Sequence, residues 1–150
     1  MMTKHILVPL DFSESSDAAL SYAIDLTSRL RAHLTLCHVI PNLPFSEARL
    51  LSPIVEVEDV ARLALEDRCE RAQHRGVAAH PVLVCGDPWQ QIVETAMTRQ
   101  VDLVIMATHG YTGLQEALLG SVAIRVLNAA PCSVCVIPPP SAAPDTSETL

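Results

Sequence analysis

The chain is short of aromatic residues and of positive charge. Its 150 residues include two Phe, two Tyr and one Trp, and ten Lys or Arg stand against seventeen Asp or Glu, for a formal net charge of −7. It therefore lacks both the basic stripe that would track a phosphodiester backbone and the platforms on which bases stack, and nucleic-acid binding is not expected. No apolar run approaches the roughly 20 residues of a spanning helix, so no membrane segment is expected although 49% of the residues are apolar. The opening MMTKHILVPLDFSE has no long apolar region and no small-residue cleavage site, and export is not expected. The cysteines form an odd set of five, Cys37, Cys69, Cys85, Cys132 and Cys135, mostly inside apolar runs. That usage suits reduced thiols serving as small core residues, and a cytoplasmic location is expected. Cys132 and Cys135 fall in one such run, where positions three apart on a strand face opposite sides, so a zinc or redox pair is not expected. The histidines share no ligand spacing, and no dedicated protein metal site is expected.

What is present is a regular alternation. Five apolar runs rich in β-branched residues, HILVPL (5–10), LTLCHVI (34–40), AAHPVLVC (78–85), DLVIMAT (102–108) and CSVCVI (132–137), read as strands buried on both faces. Four segments between them carry one apolar stripe each at helical spacing: Ala19, Tyr22, Ala23, Leu26 and Leu30; Val57, Ala61, Ala64, Leu65 and Ala72; Trp89, Ile92, Val93, Ala96 and Met97; and Val122, Ala123, Val126, Leu127 and Ala130. Asp87-Pro88 is a helix N-cap followed by a first-turn proline, and Gly76 falls where a helix needs a left-handed residue after its end. Strict alternation with right-handed crossovers predicts one doubly wound, Rossmann-like α/β domain over residues 1–137, with a five-stranded parallel sheet of order 3-2-1-4-5 and helices on both faces. The proline-spaced segment 41–54 is long enough to be a lid, and the tail 138–150 is expected to be disordered.

Glycine is scarce, yet three of the five lie within MATHGYTGLQEALLGS, Met106 to Ser121. In open α/β sheets ligands bind beyond the carboxyl ends of the strands. The first strand leaves Asp11 just past its end, and the fourth runs into Ala107-Thr108-His109-Gly110 before the chain reaches Gly120-Ser121 at the start of the fourth helix. A glycine loop feeding a helix N-terminus presents unpaired backbone N–H groups in the positive end of the helix dipole, and phosphate is their natural partner. The same glycines could simply make turns and a cap. The segment is not a Walker loop, because that needs GxxxxGK[ST] and the chain has a single lysine, Lys4. A receiver domain would need paired acids after the first strand and a lysine after the fifth, and a flavodoxin would carry its phosphate loop directly after the first strand.

At these residues the sequence resembles the universal stress protein family. ILVPLDFSESSDAAL, LCHVI and MATHGYTGLQEALLGSVAIRVLNAAPCSVCVI carry the resemblance over about residues 4 to 137. The family's nucleotide-binding motif G-x-x-G-x9-G-[ST] falls on Ala107, Gly110, Gly120 and Ser121, with Ala107 in place of its first glycine. The resemblance implies an adenine-nucleotide site in which Asp11 holds the ribose or base edge between Pro9 and Leu10, Val39 meets adenine and Met106 walls the pocket. It further implies that Gly110, Gly120, Ser121 and Val122 donate to phosphates. The ligand would be ATP, ADP or AMP, with Mg²⁺ or Mn²⁺ carried by the nucleotide. Ala123 stands where some members have a hydroxyl near the terminal phosphate. His109 reads as a surface histidine and Arg125 as a solvated or subunit-contact residue.

The segment 107–123 has no Lys and no Arg, which suits binding better than turnover, so any ATPase activity is expected to be slow. Two functions remain open: a nucleotide-binding regulatory switch of the stress response, and an interaction module of the same family that binds no nucleotide. The resemblance also implies a homodimer, and the apolar strand 132–137, placed at a sheet edge, is one that pairing across a two-fold axis would cover. A protein partner is expected, of unknown identity.

Overall fold

The computed structural model describes residues 2–42, 54–109 and 119–139. Nine elements alternate along it: β1 (His5–Pro9), α1 (Glu14–Leu30), β2 (His33–Pro41), α2 (Ile54–His74), β3 (Ala79–Gly86), α3 (Pro88–Thr98), β4 (Leu103–Ala107), α4 (Ser121–Ala129) and β5 (Ser133–Ile137). The strands form one parallel sheet in the order β3-β2-β1-β4-β5, as the alternation predicts.

Side-chain alternation along the strands divides the core into two layers. Ile6, Val8, Leu34, Leu36 and Ile105 point to one face and pack on Ala19, Leu20, Ala23 and Ile24 of α1 and Leu65 and Ala72 of α2. Leu7, Cys37, Val39, Val104 and Met106 point to the other and pack on Ile92 and Ala96 of α3 and Ala123 and Val126 of α4. The inner strands β1, β2 and β4 are buried on both faces as expected. The outer strands depart from that reading, because each has one neighbour and less helix above it: His80 and Pro81 of β3 are exposed, and β5 has no fully buried residue. The apolar stripes are likewise narrower than their spacing suggests, with Tyr22, Leu30, Val57, Met97 and Leu127 at their solvent margins.

Helix punctuation follows local chemistry. Ser13 caps α1 by accepting from the Ser16 amide at 3.1 Å. Asp87 and Pro88 open α3 in the expected positions, although the Asp87 side chain makes no capping bond. Gly76 takes φ +80 after α2, with open space around it, so its requirement for glycine is conformational. The proposed lid and the tail fall mainly on 43–53 and 140–150, outside the described residues.

Candidate functional site

β1 and β4 lie side by side at the centre of the sheet, where the strand order reverses direction, and a cleft of about 450 Å³ opens at their carboxyl ends. Nine of the ten residues proposed from sequence line it: Pro9, Leu10, Asp11, Val39, Met106, Ala107, Gly120, Ser121 and Val122. The tenth, Gly110, lies outside the described residues.

The β1 side of the cleft is a built turn. The Leu10 amide donates to the Cys37 carbonyl at 2.7 Å, extending the β1–β2 pairing one residue past the strand. Asp11 Oδ1 then accepts from the Ser13 amide at 3.0 Å and from Ser13 Oγ at 2.5 Å. This Asx turn forces Phe12 to φ +66 and delivers Ser13 to the start of α1. Asp11 is therefore a turn acid as well as a residue of the cleft. Next to it, the Leu10 carbonyl accepts from His38 Nδ1 at 2.6 Å. Phe12 stacks on the imidazole with centroids 4.3 Å apart, and Arg68 lies 5.0 Å over the Phe12 ring. Asp17 holds Arg68 through two oxygens at 3.1 and 3.2 Å.

The β4 side faces the start of α4. The Thr108 carbonyl accepts the Gly120 amide at 2.7 Å and so joins the two ends of the segment between them. A Cβ on Gly120 would sit 3.0 Å from that oxygen, which explains the glycine as a close backbone approach. The same bond corrects the expectation that Gly120 donates to a phosphate, since its N–H is already engaged. The free donors lie one step further on. The first helical bond runs from Ile124 to the Gly120 carbonyl at 3.0 Å, α4 has no side-chain cap, and the amides of Ser121, Val122 and Ala123 have no acceptor among the described residues.

Ser16, Cys37, His38, Pro41, Pro88, Ile92 and Thr108, which sequence reasoning missed, also border the cleft, as do Ala123, expected near the terminal phosphate, and His109, which that reading left off the site. His109 is not the surface residue it was expected to be: its Nδ1 lies 3.0 Å from Thr108 Oγ1, and its Nε2 is buried without a partner among the described residues. Arg125 does not line the cleft and sits 5.9 Å over the Trp89 ring. Among the described residues no Lys or Arg borders the cleft, so the positive potential they give it comes from the α4 amides. Burial pushes the Cys37 thiol up to about 11, against a smaller opposing effect of a hydrogen bond with Thr95, which makes it a wall and not a nucleophile. Such a cleft can hold an anion with a flat apolar appendage, and among the described residues it presents no pair of groups suited to nucleophilic attack.

A family model described as the Universal stress protein family matches residues 2–138. Among curated relatives, Universal stress protein MJ0531 of Methanocaldococcus jannaschii is 34% identical over 143 residues, spanning 91% of this chain and 83% of that protein. The solved structure of the universal stress protein UspA from Lactobacillus plantarum superposes with a TM-score of 0.81 at 25% identity, covering 91% of this chain and 99% of that one. A universal stress protein from Archaeoglobus fulgidus, solved in complex with dAMP, shares the fold with a TM-score of 0.67 at 19% identity, over 91% of this chain and 99% of that one.

Proposed function

The chain belongs to the universal stress protein family, and on that premise we propose that it is an adenine-nucleotide-binding regulatory protein of the stress response, a switch rather than a fast catalyst. The observation that carries this reading is the row of amides at Ser121, Val122 and Ala123 that have no acceptor among the described residues, on residues that line the same cleft as Asp11. The amides take phosphate oxygens, and Gly120 contributes close approach instead of a donor. Asp11 takes a ribose hydroxyl between Pro9 and Leu10, and Val39, Met106 and Ala107 supply the apolar wall for the base. Gly110 is proposed as a further phosphate donor. The ligand is ATP, ADP or AMP, and a Mg²⁺ or Mn²⁺ ion on the phosphates supplies the charge that the lining lacks. Because no cationic side chain among the described lining residues can neutralise a departing phosphate, any hydrolysis is slow.

β5 ends the sheet and pairs only with β4 among the described residues, so its outer edge offers a ladder to a second copy. We place the homodimer contact on residues 132–137.

Protein purified without added nucleotide, denatured and analysed by chromatography, should release an adenine nucleotide, and the emptied protein should regain thermal stability on adding ATP with Mg²⁺. Ligand at about 100 times its dissociation constant adds about 2.7 kcal/mol. An empty cleft and no thermal shift with ATP, ADP or AMP would favour the second reading, an interaction module without nucleotide. Two observations favour that reading, the methyl group of Ala107 on the cleft wall and the prior engagement of the Gly120 amide.

A further inference from the structure

We infer that Phe12 and Arg68 are positioning residues for nucleotide recognition: the Phe12 ring, held on the α1–α2 side of the sheet by His38 and Arg68, fixes the turn that presents Asp11 to the ribose. This rests on the nucleotide reading of the cleft and adds to it a link between ribose recognition and the helix α2.

Asp11 and Phe12 leave the tip of β1 in different directions. Asp11 borders the cleft, whereas Phe12 packs on the core layer of α1 and α2, opposite the layer that holds Val39 and Met106. The Asx turn that ties Asp11 Oδ1 to Ser13 requires φ +66 at Phe12. Glycine adopts that conformation freely, but for a bulky side chain it is costly and persists only where the surroundings over-determine it. Here they do so through the ring. Phe12 stacks on His38 with centroids 4.3 Å apart, and the imidazole is itself held by the Leu10 carbonyl, which accepts from Nδ1 at 2.6 Å one residue before Asp11. Arg68 of α2 lies 5.0 Å over the Phe12 ring, and Asp17 of α1 fixes the guanidinium through both carboxylate oxygens. The turn is closed by hydrogen bonds at Asp11 and by ring contacts at Phe12.

The turn uses Oδ1 of Asp11 and leaves Oδ2 without a partner among the described residues. A ribose hydroxyl donates to Oδ2, and that bond is strong only while the carboxylate is held in place. Neither Arg68 nor Asp17 borders the cleft, so a change at either reaches the ribose through the turn.

The test is the affinity of the full-length protein for Mg²⁺-ATP and Mg²⁺-2′,3′-dideoxy-ATP, which differ in the ribose hydroxyls, measured by calorimetry. The parent should prefer ATP by about tenfold or more, the equivalent of one hydrogen bond to a charged acceptor. Arg68→Met keeps an unbranched apolar stem and deletes the guanidinium. It should reduce the preference to about threefold or less and leave the affinity for dideoxy-ATP unchanged, which also shows that the cleft is folded. Arg68→Lys returns a cation to the ring and should recover part of the preference. Asp17→Asn loosens the same guanidinium from α1 and should lower the preference in the same direction, so the test does not depend on one variant folding. Phe12→Gly relieves the backbone and removes the ring. A turn held by Ser13 alone would keep or raise its ribose preference in that variant, whereas a turn held by the ring loses it. An unchanged preference in Phe12→Gly or in Arg68→Met, equal loss of both nucleotides in a folded variant, or a parent indifferent to the hydroxyls would overturn the inference while leaving nucleotide binding intact. A parent that binds neither nucleotide would overturn both.

Discussion

The two ends of the central strand β1 carry polar groups in opposite conditions. At its amino end, His5 uses both ring nitrogens, Nδ1 with the Arg99 carbonyl at 3.1 Å and Nε2 with Thr35 Oγ1 at 2.7 Å. Asp102 closes the same end by accepting the Lys4 and His5 amides through Oδ2 at 2.8 and 2.9 Å. At the carboxyl end, His38 uses one nitrogen, His109 Nε2 has no partner, and three helix amides lack acceptors among the described residues. One end is a finished knot that fixes strand register, and the other holds its unspent hydrogen-bonding capacity around a cleft. On the proposed reading the fold separates stability from binding along a single strand, and substitutions at the two ends should separate them in solution.

The largest effect is expected from Ser121→Asp. A carboxylate in the first turn of α4 suits the helix dipole and should leave thermal stability unchanged or slightly raised, by about 0.3–1 kcal/mol. It repels a phosphate on the same amides, and like charges in contact cost several kcal/mol, so nucleotide affinity measured by calorimetry should fall about 100-fold or more. Asp102→Ala at the closed end should do the reverse. It removes the acceptor of two backbone amides, should lower unfolding free energy in urea by about 1–3 kcal/mol, and should leave affinity alone. Gly120→Ala stands between these two. The added methyl group must push the Thr108 carbonyl by a few tenths of an ångström, so the variant should fold and bind with affinity reduced by about tenfold or less.

The smallest effect is one of pH. Burial, with Coulombic contributions from His33 and Arg99, holds His5 below its ordinary value of 6.5, against opposing effects of the Arg99 carbonyl and Asp102. The unfolded chain therefore takes up this proton at a higher pH than the native protein does. The stability that neutral His5 contributes is present in full above its unfolded pKa and is lost as pH falls through the native one. Urea unfolding of the parent between pH 7.5 and 5 should weaken on acidification more than that of His5→Gln, and parallel curves would remove His5 from the account.

The order of the elements was legible in the sequence because each strand and helix carries its own period, and because Asp87-Pro88 and Gly76 are local signals that need no tertiary context. That nine of the ten proposed residues border one cleft was legible because a strand tip, a glycine-bounded segment and a helix start sit at fixed chain positions in this fold. What escaped depended on neighbours distant in sequence. His38 looked like one more strand residue until the Leu10 carbonyl, 28 positions away, came within reach of its ring. The Gly120 amide looked free because nothing local reveals that the Thr108 carbonyl folds back on it. The left-handed Phe12, Arg31 and Gln100 escaped because none is a glycine, and in each case the turn imposes the conformation on the residue.

The most direct test of the central claim is an amide-resolved NMR titration of the full-length protein with ATP and Mg²⁺. The account predicts that the Ser121, Val122 and Ala123 amide resonances move together and saturate, while those of Lys4, His5 and Asp102 stay in place. Saturating nucleotide that leaves the three α4 amides unmoved would contradict it.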